Sequence, residues 1–454
     1  MVEAKIGFEL HVYLDMNETK KKLFCNCSIK EAKPNTNICP ICTGQPGNKP
    51  MLPNKEAVDK TIKAALMLNC SLNYDLLFQR KHYSWPDLPN GYQKTMSGPY
   101  SVPVGENGNF MGIGIREIHL EEDPARWDPV SGKVDYNRCG FPLIEIVTEP
   151  DFKSSKEVRE WVKKLLRTLS YVKAVDKTAG IKSDVNVSIA PAYNRIEIKN
   201  VNSMKSITKA IDYEIARQQE EPVKGMETRA WDEEKARTLF MRAKETLMEY
   251  MFIPEPDLPV VKIDDAYINS IKEKLPEKPE EKIEKYIKLG IAKEDAIILS
   301  SERLLAELFE KIAKEIDAKL AAKWLRRELL RVMHYSEKEI EDLQIDASHL
   351  IELLKMVESK QITETTAQKI LEKLIEKPFS PKQYVEKEKL EVIAGEEELR
   401  KLCEEAVKEN PSAVEDYKKG EEKALHFIVG KVMQKTRGKA DPGVVNKILK
   451  EIIG

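Results

Sequence analysis

Four of the seven cysteines crowd into a short stretch near the amino terminus: Cys25-x-Cys27, eleven intervening residues, then Cys39-Pro-Ile-Cys42. Two close thiolate pairs on turns can wrap a tetrahedral Zn²⁺, and Gly44 and Gly47 permit the tight backbone of such a knuckle. A shell of four cysteines is closed, so the expected role is structural, with free thiols as the alternative. Cys70, Cys139 and Cys403 stand alone in the sequence and read as small buried apolar residues. An odd cysteine count argues against an evenly stapled secreted scaffold and for a reducing compartment.

Three segments place acids at alternate positions: Glu9 with His11, Glu117 and Glu121 with His119 between them, and Glu145 with Glu149. On strands this spacing puts the acids on one face. A solvated polar face is the bland reading, but such clusters of oxygen ligands also bind Mg²⁺, which in turn holds nucleotide phosphates. Phase favours Glu121 over Glu122, because Glu122 follows Leu120 toward the core side. The loop RKHYSWPDLPNGYQ at 80–93 mixes cations and aromatics. Arg80 and Lys81 are phosphate candidates, and Tyr83, Trp85 or Tyr92 could stack on a base. No Gly-rich Walker loop, Rossmann fingerprint or amidase Ser-Lys nucleophile is present. Between 430 and 450, Lys431, Lys435, Arg437, Lys439, Lys447 and Lys450 face a single acid, Asp441. This is a candidate grip for an RNA backbone, or else a solvated helix face.

The elements that must position these residues follow from periodicity. In KIGFELHVYL, Ile6, Phe8, Leu10, Val12 and Leu14 share one face of a strand. REIHLEED and PLIEIVTEPD alternate likewise, and SDVNVSI with RIEIK reads as a hairpin. Val185, Val187, Ile189, Ile196 and Ile198 point inward there; Asp184, Asn186, Ser188, Arg195, Glu197 and Lys199 form its other face. Helices are expected over roughly 54–67, 154–170 and 203–220, the last capped by Ser203. PEPDLP at 254–259 reads as a rigid stop. Beyond about 290 the pattern is helical, and from about 390 the helices shorten, with Asn410-Pro411 and Asp441-Pro442 as starts and Gly420 and Gly438 as stops. The expected class is α+β, with domains at 1–290, 291–389 and 390–454.

Composition sets outer limits. The chain has 454 residues, 41% apolar and 33% charged, enough for several cores under a charged surface of the kind found in heat-adapted proteins. A net charge of -2 leaves nucleic-acid contact to local patches. No apolar run reaches membrane-spanning length and no secretory leader is visible, so the expected location is the cytoplasm, with no membrane partner.

Taken in order, IGFELHVYL, LFCNC, CPICTGQPGNKPMLP, RKHYSWPDLPNGYQ, IHLEED, PLIEIVTEPDF, SDVNVSI, EIKNVNS, ETRAWDE, MRAKE, FIPEPDLP and NPSAVEDYKKGEEKALHFIVGKVM resemble the B subunit family of the glutamine-dependent aspartyl/glutamyl-tRNA amidotransferases over nearly the whole chain. Phe8 and Leu10 stand where many relatives carry Leu and Val, on the apolar side. The related archaeal E subunit usually carries an inserted domain for which this chain has no room.

The resemblance implies a cradle domain with an antiparallel sheet, similar to the glutamine synthetase and guanido kinase fold, then a helical domain and a mobile tail that contacts tRNA. It implies a glutaminase A subunit and a small C subunit as partners in a heterotrimer, with misacylated tRNA, ATP and ammonia as substrates. Glu9, His11, Glu121 and Glu145 are then the expected Mg²⁺ ligands and catalytic groups. Arg80, Lys199 and Asn200 would steady phosphates or the bound amino acid, and Asp184 and Asn186 would line the same cleft. Lys431, Lys435, Arg437 and Lys439 would meet tRNA. Two other readings fit parts of the sequence: a zinc-containing tRNA-binding scaffold without catalysis, and a self-contained ATP-dependent amide ligase, against which the missing glutaminase signature speaks.

Overall fold

Strict alternation in the first strand organises everything around it. Ile6, Phe8, Leu10 and Val12 are at most 1% exposed, while Glu9, His11 and Tyr13 look out from the opposite face. The computed structural model describes residues 2–176, 180–243, 250–392, 396–436 and 439–454. The chain divides into two units, Met1–Lys278 and Pro279–Gly454.

The first unit carries a twelve-stranded sheet among the described residues. Its strands are β1 (Ala4–Tyr13), β2 (Ser71–Leu72), β3 (Gln79–His82), β4 (Tyr92–Thr95), β5 (Gly105–Phe110), β6 (Ile113–Glu122), β7 (Pro142–Thr148), β8 (Ile181–Ile189), β9 (Ile196–Val201), β10 (Glu227–Asp232), β11 (Arg237–Ala243) and β12 (Met251–Pro254). They run in the order β11-β10-β9-β8-β1-β7-β6-β4-β3-β12, with β5 on β6 and β2 on β5. β9 and β10 pair in parallel, because the long helix between them returns the chain to the same end of the sheet.

Three helices cover the apolar face: α1 (Lys55–Met67), α2 (Ser155–Tyr171) and α3 (Met204–Glu220). Each starts on a side-chain cap, with Asn54, Ser154 and Ser203 accepting from Glu56, Glu157 and Ser206 N–H groups. Their inward residues, among them Ile62, Val162, Leu165 and Ile211, join Phe8, Ile118, Ile144, Val185 and Ile198 in one core. Truncating Phe8 to alanine here would cost roughly 3–5 kcal/mol. With that face covered, the opposite face is left to polar side chains.

The second unit is helical. Leu305, Phe309 and Ile312 form one buried stripe, and Leu350, Leu353, Leu354, Ile370 and Leu374 pack into the same cluster. The expected boundary at 290 falls too late: Tyr286, on the helix Pro279–Lys288, is already buried in this second core. The last helices, Glu396–Glu409, Pro411–Lys418, Glu422–Lys435 and Pro442–Ile453, share a separate cluster containing Leu399, Cys403, Ile428, Val432 and Leu449. Gly420 takes a φ of 100°, which ends one helix, and Asp441 accepts from the Gly443 and Val444 N–H groups to open the last. Arg437 and Gly438, read in the sequence as a phosphate contact and a helix stop, lie outside the described residues.

Candidate active site and cysteine knuckle

Antiparallel register brings the acids together. On the polar face His11 lies directly opposite Glu145 of β7 on one side and Lys182 of β8 on the other, while Glu145 in turn faces His119 of β6. Glu121, one pair along, is diagonal to Glu145. The result is a tight group in which His11 Nε2 stands 3.6 Å from Glu121 and 3.8 Å from Glu145. Potential ligand atoms of these three residues lie within 4.8 Å of one another. Glu122, on the other phase, accepts the Lys94 ammonium at 2.7 Å on the core side. Thr95 donates to Glu121 at 3.0 Å, and His119 pairs with Glu117 at 2.8 Å.

Glu9 belongs to a second group. Its register partner is Asp184, and Glu9, Asp184 and Glu197 again place ligand atoms within 4.8 Å of one another. Asn186 donates to Glu9 at 3.2 Å, and Lys199 reaches Asp184 at 2.9 Å and Glu197 at 3.2 Å. The four expected ligands are therefore divided between two neighbouring clusters on the same face.

The charges tune one another. Burial raises Glu121, with Glu145 adding to it and His11 and Lys81 opposing. Burial also works against a charged Glu145, but His11, His119 and Lys81 together hold it below the ordinary carboxylate range. Burial alone would lower His11, yet Glu145 and Glu121 leave it raised. Glu9 is pushed up to about 6 by burial and then by Glu145, Asp184 and Glu197, with Lys199 opposing. Such mutually perturbed groups converging on one cleft make it the candidate functional site.

The cleft is a cavity of about 390 Å³ whose lining includes His11, Glu121 and Glu145 together with Lys81, Arg138 and Lys182. Asp184 and Asn200 also line it, whereas Arg80 is not among its lining residues. The Arg80 guanidinium makes two bonds to Glu255, at 2.9 and 2.8 Å, and one to Asp257 at 3.0 Å, with Tyr92 stacked beneath it. A strand alternates, so the neighbouring Lys81 reaches the cavity instead, over the Tyr250 ring. Asn200 has a φ of 65°, which asparagine tolerates, close to a register slip between Ser183 and Val185. Of the aromatic trio, Tyr83 lines the cavity, while Trp85 packs edge-on against Trp127.

Sequence reasoning missed Lys182, Arg138 and Asp123. Asp123 is 2% exposed; it accepts from Tyr13 Oη at 2.5 Å and from Lys182 at 3.0 Å, and it forms an ion pair with the Arg138 guanidinium at 2.9 Å. Lys182 was within reach of the alternation rule, two residues before Asp184. Arg138 lies in an aperiodic loop and carried no signal.

The sulfur atoms of Cys25, Cys27, Cys39 and Cys42 lie within 4.8 Å of one another. Lys22, 1% exposed, donates to Cys42 Sγ at 3.3 Å and to the Tyr136 carbonyl at 3.1 Å, and the Cys39 N–H also donates to Cys42. A buried ammonium requires negative charge beside it. The Cys42 thiol is pulled down to about 4, chiefly by the bond from Cys25, while Cys25 itself is driven up. Four sulfurs converging beside a buried cation fit a tetrahedral Zn²⁺ site, in which the ion would hold all of them as thiolates. The knuckle is also stitched to the segment before Arg138: Asn35 accepts from Tyr136 N–H at 2.7 Å, Asn137 Oδ1 accepts from Asn37 N–H at 2.8 Å, and Asn137 Nδ2 donates to the Lys33 carbonyl at 2.7 Å. Cys70, Cys139 and Cys403 are buried.

In the tail, Lys435 is already paired with Glu409 at 2.7 Å and Glu405 at 3.4 Å, acids from a different helix that a sequence window around 430–450 does not contain. Lys431 lies over the Phe427 ring.

Comparison with known proteins fixes the lineage. Residues 4–269 match the family model described as the GatB/GatE catalytic domain, and residues 307–453 match the GatB domain. The chain belongs to the GatB family. Among its curated relatives, the B subunit of the aspartyl/glutamyl-tRNA(Asn/Gln) amidotransferase from Methanocaldococcus jannaschii is 44% identical over 469 residues, covering 99% of this chain and 98% of the relative. The protein of the same name from Methanococcus maripaludis is 43% identical over 471 residues, covering 100% and 99%. That of Methanothermobacter thermautotrophicus is 44% identical over 457 residues, covering 99% and 100%. The GatB catalytic match spans both acid clusters, the cavity and the cysteine knuckle.

Proposed function

We propose that this chain is the amide-forming component of a tRNA-dependent amidotransferase, converting Asp or Glu esterified to tRNA into Asn or Gln. The observation that carries this reading is the convergence of His11, Glu121 and Glu145 in a polar cavity whose lining also includes cations. A side-chain carboxylate is a poor electrophile. One of its oxygens attacks the γ-phosphorus of ATP and ADP leaves; ammonia then attacks the acyl carbon, inorganic phosphate departs and a proton is lost.

The chain's part is positioning and charge. His11, Glu121 and Glu145, with Glu9 and Asp184 from the adjoining group, are the residues that would hold Mg²⁺. Bound there, the ion would neutralise phosphate charge as one anion approaches another. Lys81 is placed to meet phosphate oxygens. Lys199 and Asn186 keep the second acid cluster compensated, and Asn200 offers an amide to the bound group. Arg80, occupied by Glu255, braces the strand that presents Lys81.

Several finer features accompany this reading. The open polar face of a largely antiparallel sheet backed by helices agrees with a cradle of the glutamine synthetase and guanido kinase kind. The knuckle takes structural zinc. A separate glutaminase supplies ammonia within a heterotrimer completed by a small third chain. The terminal helices, from about 390 on, meet the tRNA body through Lys431 and Lys439. No helix among the described residues is long and apolar enough to cross a membrane, in keeping with action on tRNA in the cytoplasm. A purely structural tRNA-binding role gives no reason for buried, mutually perturbed acids around one cavity.

The test is amide formation on Asp-tRNA(Asn) and Glu-tRNA(Gln) with ATP, Mg²⁺ and ammonium chloride, using the chain assembled with its partners. ATP-dependent Asn or Gln formation is the expected result, and the reading fails if tRNA binds but no amide appears.

A further inference from the structure

Resting on the function just proposed, we propose that Lys182 and Arg138, fixed by Asp123, bind the side-chain carboxylate of the esterified amino acid and so separate the acidic substrate from its amide product.

Asp123 is one buried carboxylate serving two cations. Its Oδ1 accepts Lys182 at 3.0 Å and its Oδ2 forms an ion pair with the Arg138 guanidinium at 2.9 Å, while Tyr13 donates its hydroxyl to the same carboxylate. Counted over Lys182, Arg138 and Asp123, the group keeps one positive charge; the further acid facing it, Asp87, also lines the cavity, and burial raises its carboxyl toward the neutral form. Lys182 and Arg138 retain 40% and 31% side-chain exposure and both line the cavity, so they are anchored from behind and open to a ligand in front. A lysine normally loses rotamer freedom when it binds. Here the Tyr13 ring, 5.2 Å from Lys182 Nζ, and the Asp123 carboxylate have already restricted it. Arg138 is further held by the Pro124 and Ala125 carbonyls, which accept at 3.0 and 2.7 Å.

Register gives the location. Lys182 is the cross-strand partner of His11, and His11 is the partner of Glu145. With strands about 4.8 Å apart, an anion against Lys182 lies roughly one strand spacing from His11 and two from Glu145. That is the interval over which a carboxylate oxygen must meet a phosphorus held at the acid cluster. The product differs from the substrate by replacing O⁻ with NH₂ in almost the same volume, so shape cannot distinguish them. An excess cation can, because it gains a charge-assisted bond only with the acid.

Steady-state rates of the assembled amidotransferase, with ammonium chloride as nitrogen donor, test this. Lys182→Met should raise the KM for Asp-tRNA or Glu-tRNA roughly tenfold, the loss of one charged hydrogen bond. The KM for ATP, the affinity for uncharged tRNA and the inhibition constant of the amide product should stay as in the wild type. Lys182→Arg should restore most of the loss, and Asp123→Asn, a change in a positioning residue, should reproduce the selective rise in KM for the acidic substrate when assayed below its lowered unfolding transition. A rise in the KM for ATP instead would assign the pair to phosphate and overturn the proposal, as would no change in any constant. Failure of the wild-type assembly to form amide at all would overturn the underlying function, a result independent of these variants.

Discussion

His11 and Glu145 face one another across adjacent antiparallel strands with Nε2 and Oε1 3.8 Å apart, each on a strand whose other face is core. Neither side chain can leave the cluster without breaking the alternation that buries Leu10, Val12, Ile144 and Ile146. The site's geometry is thus inherited from the same packing that stabilises the fold.

Removing one charge from this cluster should affect chemistry and not folding. Glu121→Gln keeps the shape and the bond from Thr95, and is expected to lower kcat by roughly 10²–10³-fold. tRNA affinity, read by filter binding, should remain within twofold or so of wild type. Equal loss of both would mean that Glu121 is structural.

Arg80 should behave in the opposite way. The Glu255 side chain has no exposed surface, and Arg80→Ala leaves that carboxylate buried without its cation. A loss of roughly 3 kcal/mol is expected, visible as a lower denaturation midpoint. Changing Glu255 to Gln in the same chain should recover part of it. The KM for ATP measured below the transition should hardly move, whereas Lys81→Met should raise it.

The cysteine knuckle predicts a linked pair of losses. Cys42→Ser should abolish stoichiometric zinc, measured by atomic absorption on the purified chain, and lower thermal stability. Lys22→Met removes the buried ammonium beside Cys42 and should weaken zinc retention against a chelator by about 10–100-fold, the usual effect of a partner behind a metal ligand. Undiminished stability on zinc removal would rule out the structural role.

Acid stability should register one helix cap. Asp346 accepts from the Ser348 and His349 N–H groups at the start of the helix Ala347–Glu358, and its carboxyl is drawn down to about 2, first by Ser348 and then by His349. A depressed carboxyl stabilises the folded state above its unfolded value near 4, and that contribution fades as pH falls toward 2. Asp346→Ala should cost about 1 kcal/mol at neutral pH and progressively less in acid, followed by urea denaturation across pH 2–6.

For the tail, the pairing of Lys435 with Glu405 and Glu409 sets a contrast. Lys435→Ala should change tRNA affinity less than twofold or so, while Lys431→Ala should weaken it and reduce the salt dependence by about one unit of slope. Equal effects would show that the ion pair opens on binding.

Period-two patterning made the sheet legible, and with it the shared face of the candidate site's acids. Ile6 to Leu14 located β1, and parity alone placed Glu9, His11, Glu121 and Glu145 on one face and Glu122 on the other. Parity could not rank distances along that face, which depend on register. Only the pairing of Glu9 with Asp184 and of His11 with Glu145 shows that there are two acid clusters and not one. RKHY offers two adjacent cations, and the sequence does not reveal which one meets Glu255 and which one lines the cavity. Arg138 left no trace, since a loop has no period. Lys435 looked free because its acids lie 26 and 30 residues away in sequence.

The stitching of Asn35, Asn37 and Lys22 to residues 136 and 137 makes the knuckle a neighbour of Arg138 by covalent chain as well as by contact. A metal held on the four sulfurs and an anion bound at Arg138 as proposed would both act on the arrangement of that shared segment. Two ligands that select one conformation reinforce each other by the same factor in both directions. Occupancy of the proposed substrate cavity should therefore slow the escape of zinc, and a metal-depleted chain should lose discrimination between acid and amide before it loses its fold.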